Sequence, residues 1–160
     1  MHLAYANLKA SDGAIPSAQP GEFFETNGAT WQYIKAAEAL AAYSLCYVKA
    51  NGETALATAT LLTTTRPAAV VIPQFAFASG DYGWALCGPF YLREDGVTTC
   101  KVLSKIATLS LVMYGQNTTP GSADDAVANP PIQGLTLTAS QTVDDTATAC
   151  VATKKLTVNS

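Results

Sequence analysis

The chain has 160 residues, of which 49% are hydrophobic and only 13% charged, with a formal net charge of -3. An ordinary soluble domain carries about 25% charged residues, so this surface must rely on Thr, Ser, Asn and Gln and is weakly protected against association. Nine basic residues scattered along an acidic chain exclude the clustered Lys and Arg that a nucleic-acid partner requires.

One domain is expected, since the length suits a single core. No apolar stretch approaches the roughly 20 residues that a membrane span needs. The opening MHLAYANLKASDGAIP also lacks the basic start and long apolar run of a secretory signal. These readings predict a protein made in a cytoplasm, with no membrane partner.

Residues 1–21 hold Gly13, Pro16, Pro20 and Gly21 without periodicity, which predicts an extended N-terminal arm ahead of a single β-domain over residues 22–160. A frayed terminus is the alternative. The run FFETNGATWQYIKA reads as two strands around Asn27-Gly28, the dipeptide most strongly tied to two-residue hairpin turns. The Ala-rich residues 36–45 have helical propensity, and a short helix there competes with strand. From Ser44 onward a hairpin about Asn51-Gly52 is expected. LLTTTRPAAVVIP, with Pro67 and Pro73, reads as an edge strand or a bulged one.

Residues 70–92 read as two apolar strands joined by a tight Ser79-Gly80-Asp81 turn. In the second, Tyr82, Trp84, Leu86 and Phe90 fall on one face and Gly83, Ala85, Cys87 and Pro89 on the other, the pattern of a half-buried strand. Gly80, Asp81, Tyr82, Gly83, Trp84, Gly88 and Phe90 are therefore the predicted hairpin motif and core. A turn at Asp95-Gly96 leads to VTTCKVL and then IATLSLVMYG, two further strands. A long loop between Gly115 and Gly134, rich in Pro, Gly and Asn, precedes three short strands, LTLTAS, ATACVAT and KLTV. Many short strands at such spacing predict an all-β fold, a β-sandwich or jelly-roll-like barrel.

No catalytic constellation is apparent. The single histidine is His2, in the predicted arm, and no His-dependent triad can be assembled. Asp124-Asp125 and Asp144-Asp145 lack the alternating spacing of a calcium loop and read as solvated turn acids. Phosphate-cradling and nucleophile-elbow motifs are absent, and the sequon at Asn117-Thr118-Thr119 means little without a secretory route. Cys46, Cys87, Cys100 and Cys150 have no zinc spacing and read as buried small hydrophobes, with a disulfide formed after release left open. No catalytic residue, cofactor or metal is expected. Trp31, Tyr33, Tyr82 and Trp84 could line a sugar-binding face, although core packing is the default for such residues.

The succession GEFFETNGATWQYIKAAEALAAYSLCYV, VVIPQFAFASGDYGWALCGPFYL and IQGLTLT resembles small structural proteins of tailed bacteriophages, of the head decoration or cement type. The likeness spans roughly residues 21–138. Tyr43 stands where that family usually has a glycine, and Cys87 where a polar residue is common. The resemblance implies a β-sandwich or jelly-roll-like protein, a homodimer or homotrimer, that binds the outer surface of an icosahedral head and clamps neighbouring subunits of the major capsid protein. No catalytic residues come with it. The expected contacts are the arm, with Leu3, Tyr5, Leu8 and Ile15, and the long loop, with Pro120, Pro130 and Pro131. The alternative is a carbohydrate- or receptor-binding module on a virion surface, supported by the aromatic residues alone.

Overall fold

A computed structural model of the chain describes residues 11–26, 28–58, 68–90, 100–104, 113–115, 119–124, 131–139 and 146–158. Leu3, Tyr5, Leu8, Asn27, Asp95, Gly96 and Pro130 lie outside the described residues. The described elements are all β, with no helix.

The Asn-Gly signal is followed by its hairpin. Strands β1 (Phe23–Thr26) and β2 (Ala29–Ala36) pair antiparallel, with Thr26 opposite Ala29 and Gly28 at φ 71°. The next hairpin joins β3 (Cys46–Val48) to β4 (Glu53–Leu56). Here Lys49 N–H donates to Glu53 C=O (2.7 Å) and Gly52 N–H to Lys49 C=O (2.9 Å), so residues 50–52 form a three-residue loop with Gly52 at φ 82°. That is the bulged turn that wants glycine at its last position, in place of the two-residue turn expected from Asn51-Gly52.

Strands β5 (Ala68–Val71), β6 (Tyr82–Phe90) and β11 (Thr146–Val158) close the architecture. The circuit β2, β4, β3, β5, β11, β6 returns to β2, making a closed six-stranded barrel. The barrel form of the all-β expectation therefore describes the molecule. A second circuit shares β11 and runs through β10 (Pro131–Leu137), β8 (Met113–Gly115), β9 (Ala123–Asp124) and β7 (Lys101–Ser104). Closing strands on each other removes most exposed sheet edges; among the described pairings β1 remains terminal, bonded only to β2.

One buried cluster runs through both circuits, from Trp31, Tyr33, Trp84, Leu86 and Phe90 to Val102, Ile132, Leu135, Cys150 and Val158. A second occupies the opposite face of β2 and β6, where Ile34, Ala36, Ala85 and Cys87 meet Leu40 and Phe77. The predicted division of β6 into two faces holds, but the strand is buried on both. The small side chains of its second face admit another layer of chain.

That layer corrects two more expectations. Residues 36–45 form no helix, because their backbone groups bond to distant partners. Leu40 and Phe77 exchange both hydrogen bonds (3.0 and 2.9 Å), Tyr43 N–H donates to Pro73 C=O (2.7 Å), and the Glu38 carboxylate accepts from Leu56 N–H (2.9 Å). Residues 70–92 are likewise not one hairpin. Only Ile72 pairs with Leu86, after which the chain crosses to Leu40 and returns through the Ser79-Gly80-Asp81 turn to β6, whose main partner is β2.

Tyr43 sits at φ 67°, the only non-glycine among the described residues in the left-handed region. Its carbonyl accepts from Leu103 N–H (2.7 Å) and Lys101 Nζ lies 5.7 Å from its ring centre. A β-branched residue is a true outlier in that conformation, whereas glycine enters it freely. Tyr43→Gly is expected to stay within about 1 kcal/mol of the parent, while Tyr43→Ile loses about 2 kcal/mol; urea denaturation of both checks the order.

The C-terminal strands differ as well. ATACVAT and KLTV are one strand, β11, with Thr153, Lys154 and Lys155 exposed as a bulge. From Gln133↔Thr157 to Leu135↔Ala152, two steps along β10 match five along β11. The long loop is not uniformly superficial, since Ser122, Ala123 and Asp124 are buried. Gly121 bonds to both Leu45 and Ala57, Pro120 is exposed, and Pro131 is the first residue of β10 opposite Tyr114.

Candidate functional site

The described N-terminal segment is a strap docked on β6 and β2. Asp12 N–H donates to Tyr82 C=O (2.7 Å) and Tyr82 N–H to Gly13 C=O (2.9 Å), so the chain pairs briefly with the start of β6. Further along, Gly21 N–H donates to Tyr33 C=O (2.8 Å). The described part of the predicted arm, residues 11–21, is thus docked on its own domain.

The strap is held by a polar knot. The Tyr33 hydroxyl donates to the Asp12 carboxylate and accepts from Ser17 N–H (2.9 Å), while the Ser17 hydroxyl donates to the same carboxylate (2.5 Å). Burial pushes the Tyr33 phenol above its usual pKa, and the bond to Asp12 adds to that rise. Asp81 does similar work at the turn, where its carboxylate accepts from Ala78 N–H (3.0 Å) and from the Ser11 hydroxyl (3.0 Å). Sequence reasoning found Asp81 as a turn residue and missed Asp12 and Ser17, whose partners lie far along the chain.

Between strap and barrel lies a cleft of about 440 Å³, walled by Pro16, Ser17, Ala18, Gln19 and Glu22 of the strap, Phe23 and Phe24 of β1, and Trp84 of β6. Phe24 and Tyr33 flank the Trp84 ring at 5.9 and 5.0 Å. At the rim, Phe23 is 52% exposed and Ile15, next to Pro16, is 81% exposed; they are the exposed large hydrophobics among the described residues. Lys155 Nζ lies 4.4 Å from the Phe23 ring centre, a cation over an aromatic face. The adjacent Phe23-Phe24 pair carried the signal for this rim, since consecutive strand residues face opposite ways and one large ring had to point outward.

Of the predicted motif residues, Trp84 walls the cleft and Asp81 and Tyr82 hold the strap. Gly83, Trp84, Gly88 and Phe90 are buried, Tyr82 is half-buried and stacks on Tyr33 at 6.3 Å, and Gly80 forms the turn. They shape the barrel. Trp31 and Trp84 are both buried, so neither offers a face to a sugar ring. Among the described residues their indole N–H groups have no acceptor.

The four cysteines are buried thiols. Burial pushes Cys46 up to about 12 and Cys87 up to about 11, and holds Cys150 well above its usual value. Thiols so shielded are slow to attack reagents from solution and are poor metal ligands at neutral pH. Among the described residues no group of three or more His, Cys, Asp or Glu comes together as a metal site, and no helix is long and apolar enough to cross a membrane. Asp124 is buried in β9 and is not the solvated turn acid expected of it. No family model, no characterised protein and no solved structure matches the chain.

Proposed function

We propose that this chain is a virion structural protein, a decoration or cement protein that binds the outer surface of an icosahedral phage head and ties neighbouring copies of the major capsid protein together. The observation that carries the reading is the exposure of two large apolar side chains, Ile15 at 81% and Phe23 at 52%, on a protein with only 13% charged residues. Exposed large side chains on a charge-poor surface suit a contact with another protein. An acidic surface suits the exterior of a DNA-filled shell better than its lumen, and the resemblance of the SGDYGW region points the same way.

Clamping requires no bond to be made or broken. A homodimer or homotrimer touching several capsid subunits converts weak contacts into an avid one, with gains of about 10² to 10⁴. A closed barrel suits that work, because a rigid body loses little conformational freedom on binding.

Deleting the strap is a poor test, since Asp12 and Ser17 also hold Tyr33. Ile15→Asp and Phe23→Asp change the two exposed large side chains and leave the Asp12–Tyr33–Ser17 bonds in place. Purified protein is mixed with heads that lack it, and bound copies are counted against the major shell protein. The expected result is occupancy comparable to the shell protein for the parent, and affinity weaker by at least about tenfold for the double variant, with unchanged unfolding midpoints. Equal occupancy for parent and variant overturns the assignment of the rim; a parent that does not bind heads overturns the function.

A further inference from the structure

We propose that Cys100 and Cys150 are an oxidisable pair, which closes into a disulfide across the β7–β11 ladder when the protein meets a small-molecule disulfide outside a reducing compartment. The ladder runs from Thr146↔Ser104 to Ala149↔Lys101, and its next step brings Cys150 opposite Cys100, joined by a hydrogen bond from Cys150 N–H to Cys100 C=O (3.0 Å). Residues directly opposed in an antiparallel pair share a face of the sheet, with Cα atoms about 5.5 Å apart at a hydrogen-bonded position. That spacing falls within the roughly 4.4–6.8 Å that a disulfide tolerates.

The side chains agree with the register. Both cysteines belong to the same buried cluster, and Cys150 Sγ lies 3.7 Å from the Cys100 carbonyl oxygen, so this thiol leans toward its neighbour. Cys46 and Cys87 lack such a relation. They lie in the second cluster, where Cys46 Sγ contacts Ser44 and Cys87 Sγ contacts Thr30 and Gly88.

The two members of the pair have different duties. Cys100 is 9% exposed and precedes the first residue of β7, whereas Cys150 is 0% exposed within β11. Cys100, the less buried of the two, is therefore assigned as the sulfur that meets the oxidant first. With oxidised glutathione, the deprotonated Cys100 sulfur attacks one glutathione sulfur, breaking that S–S bond and releasing one glutathione. Cys150 then loses its proton and attacks Cys100 Sγ, releasing the second. One protein disulfide and two reduced glutathiones replace one oxidised glutathione and two protein thiols. The new bond fastens β7 to β11 and encloses β8, β9 and β10, most of the second circuit.

The test incubates the folded protein with oxidised glutathione, unfolds it in N-ethylmaleimide, and maps every cysteine by mass spectrometry. The expected product carries a Cys100–Cys150 linkage, alkylated Cys46 and Cys87, and an unfolding midpoint raised until dithiothreitol is added. Cys150→Ser is expected to stall with glutathione on Cys100. Four alkylated cysteines in the treated parent, a linkage that uses Cys46 or Cys87, or a bond between two chains overturns the proposal.

Discussion

Gly88→Ala is expected to cost about 4 kcal/mol, a large part of the roughly 5–15 kcal/mol that holds a domain of this kind folded. The reason is a crossing of irregular strands. Trp31 pairs with Leu86 and Ala29 with Phe90, so two steps along β2 span four along β6, and the surplus backbone bulges at residues 87–89. The bulge of β11 at Lys154 lies against it. A Cβ on Gly88 would stand 2.4 Å from the Lys154 carbonyl oxygen and 3.2 Å from Ala152 Cβ, at φ 80°.

Backbone has to move to admit that carbon, which adds an overpacking cost of about 1–3 kcal/mol to a positive-φ cost of about 1–2 kcal/mol. Two other glycines separate these contributions. Gly80 has φ 88° and open space around a Cβ, so Gly80→Ala carries only the conformational cost, about 1 kcal/mol. Gly134 has φ 91°, and its Cβ would meet Lys154 Cγ at 2.8 Å, a side-chain atom that can yield, so about 2 kcal/mol is expected. Urea denaturation should rank Gly88 above Gly134 above Gly80. Equal losses at Gly88 and Gly80 would mean that the two bulges do not meet.

What was legible in the sequence was local. Asn27-Gly28 carries its turn chemistry in two adjacent residues, and the hairpin of β1 with β2 follows. The alternation along residues 82–90 names correctly which side chains share a face. A half-buried strand puts Gly83, Ala85 and Cys87 on its open face, since small side chains bury little. Here they leave room for Leu40 and Phe77, and nothing near them in sequence announces that layer.

The same limit explains the other departures. Alanine propensity at residues 36–45 amounts to tenths of a kcal/mol per residue, and paired bonds to Phe77 and Pro73 outweigh it. ATACVAT and KLTV read as two strands because Lys154-Lys155 breaks the apolar pattern between them, and an exposed bulge inside one long strand carries the same polarity. Of the candidate site, Ile15 was named among the contact residues. Glycines and prolines of the strap read as a free arm because the bonds that dock it, to Tyr33 and Tyr82, join residues 12 to 70 positions apart.

Trp84→Ala is expected to cost about 3–5 kcal/mol, as full truncation of a large core aromatic does. The side chain is 2% exposed, meets Tyr33 edge-on at 5.0 Å and Phe24 at 5.9 Å, and closes the barrel end of the cleft. Trp84→Phe retains a ring and removes an indole N–H that has no acceptor among the described residues, so about 1 kcal/mol is expected, because the lost volume is partly offset by relief of an unpaired donor. Coupling to the strap distinguishes a core role from an exposed one. Tyr33→Phe removes the hydroxyl that joins Asp12 and Ser17, and in combination with Trp84→Ala its effect should depart from additivity by about 0.5–3 kcal/mol, since the two rings touch. Denaturation of the two single variants and the double measures that coupling. A near-neutral Trp84→Ala with no coupling to Tyr33 would put the ring at the surface and restore the case for a sugar-binding platform.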